Sequence, residues 1–220
     1  MTKIRVTAFK WVPPFAQGLA RDLRVRWALE EAGLPYDEKL LGFGEQNAPA
    51  HRAVQPFGQV PVYEEGELTM FESGAIVMHI GERCPALLPV DPVKRARART
   101  WMFAALNSVE PHITTLIALD IFFANEEWAR LRRPSAEKTA QARLDYVAAA
   151  LGDRDYLEGE FTGGDLLMTS VLRFLRHTDL VKNRPTLAAY QARCEARPAF
   201  QRALAAQLAT FEKYAPAAAA

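Results

Sequence analysis

Ile4-Arg5-Val6-Thr7-Ala8-Phe9, a helical run through Leu19, Leu23 and Trp27, the stop Gly33-Leu34-Pro35 and then Tyr36-Asp37-Glu38-Lys39-Leu40-Leu41 set the architecture of the first forty residues. Ile4, Val6 and Ala8 alternate with Arg5, Thr7 and Phe9, the period of a strand. Trp11-Val12-Pro13-Pro14-Phe15 follows as a loop, kept out of a helix by two prolines. From about Gly18 the apolar spacing turns helical, with Val25, Ala28, Leu29 and Ala32 widening the stripe. Gly33 supplies the left-handed residue that closes a helix. Tyr36 to Leu41 is a second strand. Strand, helix, strand in so short a span implies a parallel pair joined by a crossover helix.

Beyond this unit, residues 42–58 are rich in Gly, Asn and Pro and hold one helical turn near Pro49–Val54. Val60-Pro61-Val62-Tyr63 and Leu68-Thr69-Met70-Phe71 flank Glu64-Glu65-Gly66-Glu67, the pattern of a hairpin. A helix runs from Ser73 to about Arg83. After Cys84-Pro85 every segment reads as helix. Asp91-Pro92 starts a long one, with an N-capping side chain and proline at the first helical position. It is expected to reach about Asn125 with a kink at Pro111. Ser135 is placed to cap the next, Thr162-Gly163-Gly164-Asp165 to open another as far as His177, and Pro185–Arg197 and Pro198–Phe211 complete a bundle. The expected organisation is an α/β domain over 1–84, a linker over 85–92 and an all-helical domain over 93–220. The tail from Ala215 to Ala220 is expected to be a small-residue fray.

Half of the 220 residues are hydrophobic and 24% are charged, which excludes disorder over most of the length. The 27 basic and 26 acidic residues leave a net charge of +1, against an electrostatic nucleic-acid binder. Two cysteines, Cys84 and Cys194, suit reduced thiols and a cytoplasmic location. No segment approaches the roughly 18 apolar residues of a membrane span, and the N-terminus lacks a signal core. His51, His79, His112 and His177 are scattered without ligand spacing, so no metal is expected. Neither glycine-rich phosphate motif occurs, so no nucleotide is expected. The run Lys94, Arg95, Arg97, Arg99 reads as a solvated helix face. Cys84 precedes a proline at a helix end, where the dipole disfavours a thiolate, and Cys194 reads as a small core residue.

Gln59-Val60-Pro61-Val62 and Phe71-Glu72-Ser73-Gly74-Ala75-Ile76 carry the chemistry. A proline opening a strand cannot donate on its nitrogen side. A cis Val60–Pro61 bond would offer the Val60 N–H and C=O to an extended ligand. Ten residues on, a helix start brings free N–H groups, the Ser73 hydroxyl and the Glu72 carboxylate to one point. The N–H groups suit a carboxylate and Glu72 suits an ammonium, which together describe an amino acid. On the other reading Ser73 merely caps its helix and Pro61 merely ends a loop; the residue types admit both.

The N-terminal part resembles the thioredoxin-like domain of cytosolic glutathione transferases. The resemblance rests on Val25-Arg26-Trp27-Ala28-Leu29-Glu30-Glu31-Ala32-Gly33-Leu34-Pro35-Tyr36, on Pro56-Phe57-Gly58-Gln59-Val60-Pro61, and on Leu68 to Ile76. Phe161-Thr162 with Asp165 and Arg193 to Ala203 resemble the same family's helical domain, so the likeness covers nearly the whole chain. It implies a bacterial-type member with a thioredoxin-like domain followed by a helical bundle. It also implies glutathione as co-substrate, a homodimer and a role in detoxification.

Carried over residue by residue, the resemblance makes Val60, before a cis Pro61, the backbone partner of the cysteinyl part of glutathione. It makes Glu72 and Ser73 the holders of the γ-glutamyl end and puts Gln59 near the glycyl carboxylate. Arg52 or His51 could assist there, although an exposed loop charge is the preferred reading for both. Thr162 and Asp165 become structural capping residues. The family usually places a Tyr, Ser or Cys after the first strand to steady the thiolate, and here Lys10 to Asp22 contains none of them. The lack of cysteine there also counts against thiol exchange through a mixed disulfide. Thiolate stabilisation then falls to Arg21 first, read as lying in the first helical turn beside Asp22, with a solvated surface arginine as the preferred competing reading. Gln17, the N–H groups of a helix beginning near Gly18 and the Trp11 indole stand beside it. Trp11, Pro13 and Phe15, with Asn107, Ser108 and Pro111, are expected to wall a pocket for a hydrophobic electrophile; for the aromatics, core packing is the competing reading. The expected function is conjugation of glutathione to electrophiles. The alternatives are a glutathione- or hydrophobic-ligand-binding protein without turnover, and a glutathione-dependent isomerase or peroxidase.

Overall fold

The computed structural model describes residues 2–216, so Met1 and the end of the alanine tail lie outside it. Two compact units divide the chain. One takes Met1–Cys84 together with Arg197–Ala220, the other Pro85–Ala196.

In the first unit, β1 (Ile4–Phe9), α1 (Asp22–Ala32) and β2 (Tyr36–Leu41) form the parallel crossover. The short α2 (Pro49–Arg52) follows, then the hairpin β3 (Tyr63–Glu65) and β4 (Leu68–Met70), then α3 (Ser73–Gly81). The sheet runs β2-β1-β3-β4, with β1 parallel to β2 and antiparallel to β3. Val60 and Pro61 lie ahead of the hairpin strand rather than in it, as the missing proline N–H requires. Val6, Trp27, Leu29, Ile76 and Ile80 are buried between sheet and helices. Each contributes about 1.5–3 kcal/mol by leaving water.

Two sequence expectations change here. α1 starts at Asp22, not near Gly18, because Gly18 takes φ 75° and turns the chain after the single helical turn Pro14–Ala16. The closing helix, α9 (Pro198–Lys213), belongs to the first unit and not to the helical one. Its partner is α1. The Phe200 ring meets Trp27 edge-on at 4.8 Å, Arg197 grips both oxygens of Glu31, and Gln207 reaches the buried Asp22 at 2.9 Å. Asp22 also accepts from Arg26 at 2.7 Å, while Glu38 accepts from Arg26 and from Thr210.

The second unit is helical: α4 (Pro92–Phe103), α5 (Glu110–Ile117), α6 (Glu127–Leu151), α7 (Gly163–Leu172) and α8 (Pro185–Glu195). Asp91 caps α4 by accepting from the N–H groups of Val93 and Lys94. The long helix expected to reach Asn125 is broken by wider π-helical turns at Ala104–Val109, ending two residues before Pro111, and at Ala118–Phe122. Pro111 has no N–H to give to the preceding turn, and a π turn is one of the usual accommodations. Ser135 caps nothing. It lies inside α6, which starts eight residues earlier, and its hydroxyl turns back to the Arg132 carbonyl at 2.8 Å. The run from Lys94 to Arg99 is more than a solvated face: Arg97 pairs with Glu158 at 2.5 Å and Arg95 donates to the Pro89 carbonyl. Glu158 takes a second bond, from the Trp101 indole, at 2.8 Å.

Candidate functional site

Tyr63 of β3 faces Met70 of β4, and two residues outward along each strand stand Pro61 and Glu72. The hairpin register therefore brings the two sequence motifs to one end of the sheet. The approach to β3 is fixed on both sides. The Thr7 N–H donates to the Val62 carbonyl at 2.8 Å, and the Val60–Pro61 peptide is cis. Ahead of it, the Gln55 side-chain oxygen accepts from the N–H groups of Phe57 and Gln59, at 2.8 and 3.2 Å. His51 is buried rather than an exposed loop charge, and its Nε2 lies 2.7 Å from the Gln59 carbonyl. Arg52 is exposed and ties the same loop through the Pro56 carbonyl and Asn47. Gln59 itself is exposed, and Val60 is buried.

At the start of α3, Glu72 takes φ 70° and ψ 106°, the one positive φ outside glycine among the described residues. Such a backbone costs about 1–3 kcal/mol and persists where its surroundings hold it. Glu72 is exposed while Ser73 is buried. No side chain caps this helix; the Ser73 hydroxyl instead accepts from Arg24 Nη1 at 3.2 Å. The first intrahelical bond runs from the Ile76 N–H to the Glu72 carbonyl, so the amides before it find no acceptor inside the helix. Open amides, a hydroxyl and a solvent-facing carboxylate meet here. They match an anion and a cation a few bonds apart on one ligand.

The segment after β1 is arranged differently from the sequence expectation. Arg21 is exposed and stands at the N-cap of α1, before the first turn instead of inside it. The N–H groups of Leu23 and Arg24 already donate to the Ala20 and Arg21 carbonyls, so this helix start offers fewer open donors than expected. Gln17 spends one amide hydrogen on the Val12 carbonyl at 3.1 Å. Trp11 and Pro13 are half-buried, and Phe15 is 44% exposed on the Pro14–Ala16 turn. In the second unit, Asn107 and Ser108 are exposed on the first π-helical stretch and Pro111 is the second residue of α5.

Thr162 and Asp165 form a reciprocal cap on α7. The threonine oxygen accepts from Gly164 N–H, and Asp165 accepts from the N–H groups of Thr162 and Leu157 and from the Tyr190 hydroxyl. Burial pushes the Asp165 carboxyl up against the pull of these donors. No group of three or more metal-ligating side chains occurs among the described residues.

Sequence reasoning does not single out Arg24 or Gln55 as parts of a site, and it prefers an exposed loop charge for His51. One signal pointed to Arg24. All of Asp22–Leu29 is buried, and a helix buried all round that carries charges must pair them.

Residues 15–82 match the profile of the glutathione S-transferase N-terminal domain. Glutathione S-transferase F10 of Arabidopsis thaliana is 30% identical over 203 residues, spanning 85% of this chain and 93% of that protein. Glutathione S-transferase F14 of the same plant is 34% identical over 163 residues, and there the match spans 67% of this chain and 63% of the relative's length. Among solved structures, a theta-class glutathione S-transferase from Xanthomonas axonopodis pv. citri, with glutathione bound, superposes with a TM-score of 0.77 at 29% identity. That superposition covers 93% of this chain and 98% of the other.

Proposed function

Because the chain belongs to the glutathione S-transferase family, we propose that it joins the sulfur of glutathione to electrophilic small molecules, with Glu72 and Ser73 holding the γ-glutamyl end. The observation that carries this reading is the meeting of Val60 and Glu72-Ser73 at one end of the β3–β4 hairpin, within the profile-matched segment. The Ser73 hydroxyl and the first amides of α3 receive the α-carboxylate, and Glu72 receives the α-ammonium. The Val60 N–H and C=O pair with the cysteinyl peptide, and Gln59 faces the glycyl carboxylate. His51 and Gln55 hold the Gln59 backbone in place for this.

In the reaction the thiol gives up its proton, the thiolate attacks an electrophilic carbon and a C–S bond forms. Either a leaving group departs with its electron pair, or a conjugated double bond is saturated and a proton returns to the adjacent carbon. The protein contributes proximity and stabilisation of the anion. A free thiol has a pKa near ~8.5, so lowering it is the first requirement. We assign that to Arg21 by its charge and to Gln17 by its remaining amide hydrogen. With two backbone donors of α1 already spent, the side chains carry more of the task. Trp11, Pro13 and Phe15 are assigned to contact the electrophile. Substitutions at Asn107, Ser108 and Pro111 are expected to change the KM for the electrophile and leave that for glutathione unchanged.

We further propose a homodimer acting in cytoplasmic detoxification. Cys84 and Cys194 are buried and outside any disulfide, which suits a reducing compartment, and no helix among the described residues is long and apolar enough to cross a membrane. The test is consumption of glutathione against a panel of aryl halides, enones and hydroperoxides. Conjugate formation is the expected result. Calorimetric binding with no consumption across the panel supports the binding-protein reading, and reduction of hydroperoxides alone supports a peroxidase.

A further inference from the structure

Arg24 and Ser73 are 49 residues apart in sequence and share a buried hydrogen bond of 3.2 Å. Arg24 is 3% exposed and Ser73 6%, so the bond is shielded from water. A guanidinium only donates and a hydroxyl both donates and accepts. The Ser73 oxygen must therefore accept from Arg24, and the serine O–H is left to donate elsewhere. It is not used to cap its own helix, because α3 has no side-chain cap. A charged donor on its oxygen also polarises the hydroxyl and strengthens it as a donor.

We propose that Arg24 is a positioning residue for glutathione: it fixes the Ser73 hydroxyl as a donor to the γ-glutamyl carboxylate without touching the ligand itself. The inference rests on the reading of Glu72-Ser73 as the γ-glutamyl subsite. The neighbours of Arg24 on α1 make the support stiff. Trp27 is packed beneath Phe200, and Asp22 and Arg26 are paired with each other. A lysine keeps the charge but offers a point donor in place of a fork, so it replaces arginine only in part.

The experiment is a double-mutant cycle read by calorimetric titration of glutathione into the wild type, Arg24→Met, Ser73→Ala and the double variant. Arg24→Met is expected to weaken glutathione about tenfold in the wild-type background and less than about twofold in the Ser73→Ala background. Arg24→Lys is expected to recover part of the loss. It also keeps the test open should the methionine variant not fold, since its smaller loss must vanish in the Ser73→Ala background as well. At saturating glutathione, kcat is expected to move less than the KM for glutathione. If Ser73→Ala weakens glutathione while the Arg24 variants do not, or if the two losses multiply, Arg24 does not act through Ser73 and the subsite stands. If Ser73→Ala leaves affinity unchanged, the subsite reading itself is overturned.

Discussion

Ser73 and Glu72 offer the ligand a hydroxyl and a carboxylate, and each charge-assisted bond lost there removes about 1.5–3 kcal/mol. Ser73→Ala and Glu72→Ala are each expected to raise the glutathione dissociation constant about ten- to hundredfold with unchanged circular dichroism. Calorimetry checks this. Unchanged affinity in both variants contradicts the site. Tyr63 makes a separate prediction. Burial, reinforced by its bond to Glu65 at 2.7 Å, pushes its phenol up to about 12, against the pull of Arg83. A pKa raised on folding favours the neutral form. Its stabilising contribution is whole below the ordinary phenol value of about 10 and is lost as pH climbs from there to about 12. The phenolate absorbance of the wild type minus that of Tyr63→Phe is expected to rise near the upper value; a rise near the ordinary one contradicts the assignment.

At the scale of elements, the cap of α7 sets a stability prediction. Asp165→Ala leaves the buried N–H groups of Leu157 and Thr162 without their acceptor, at about 1–3 kcal/mol each. The urea midpoint is expected to fall while the glutathione affinity of the folded protein stays the same. An unchanged midpoint contradicts a structural role. The reciprocal Thr162–Asp165 part of this cap could be read from Thr162-Gly163-Gly164-Asp165 because those two side chains lie within four residues of one another, while the bonds from Leu157 and Tyr190 come from farther along the chain. The strand alternation of β1 and the stop at Gly33 were legible for the same reason: each is a local pattern. The start of α1 was not, because leucine spacing runs through Gly18 and the turn there is a matter of backbone sign. Ser135 looked like a cap because capping chemistry is local, while the continuity of α6 depends on what its apolar face covers. In the site, Val60, Glu72 and Ser73 stood in short motifs. Arg24 and His51 did not, since their partners are supplied by the fold across 49 and 8 residues.

For the whole molecule, the closing helix teaches the same lesson. Nothing local in Pro198–Lys213 distinguishes a helix of the bundle from one that packs on α1, and only the pairing of Phe200 with Trp27 and of Arg197 with Glu31 places it. Assembly is tested by sedimentation: the proposed homodimer is expected to show about twice the 24.6 kDa chain mass at micromolar concentration, and the chain mass alone contradicts it. The central claim is that one end of the β3–β4 hairpin recognises the γ-glutamyl group of glutathione. The most direct measurement is a calorimetric comparison of glutathione with cysteinylglycine, which lacks only that group, on the wild-type protein. Glutathione is expected to bind at least about a hundredfold more tightly, as the loss of two charge-assisted contacts requires. Equal affinity for the two peptides would contradict the account.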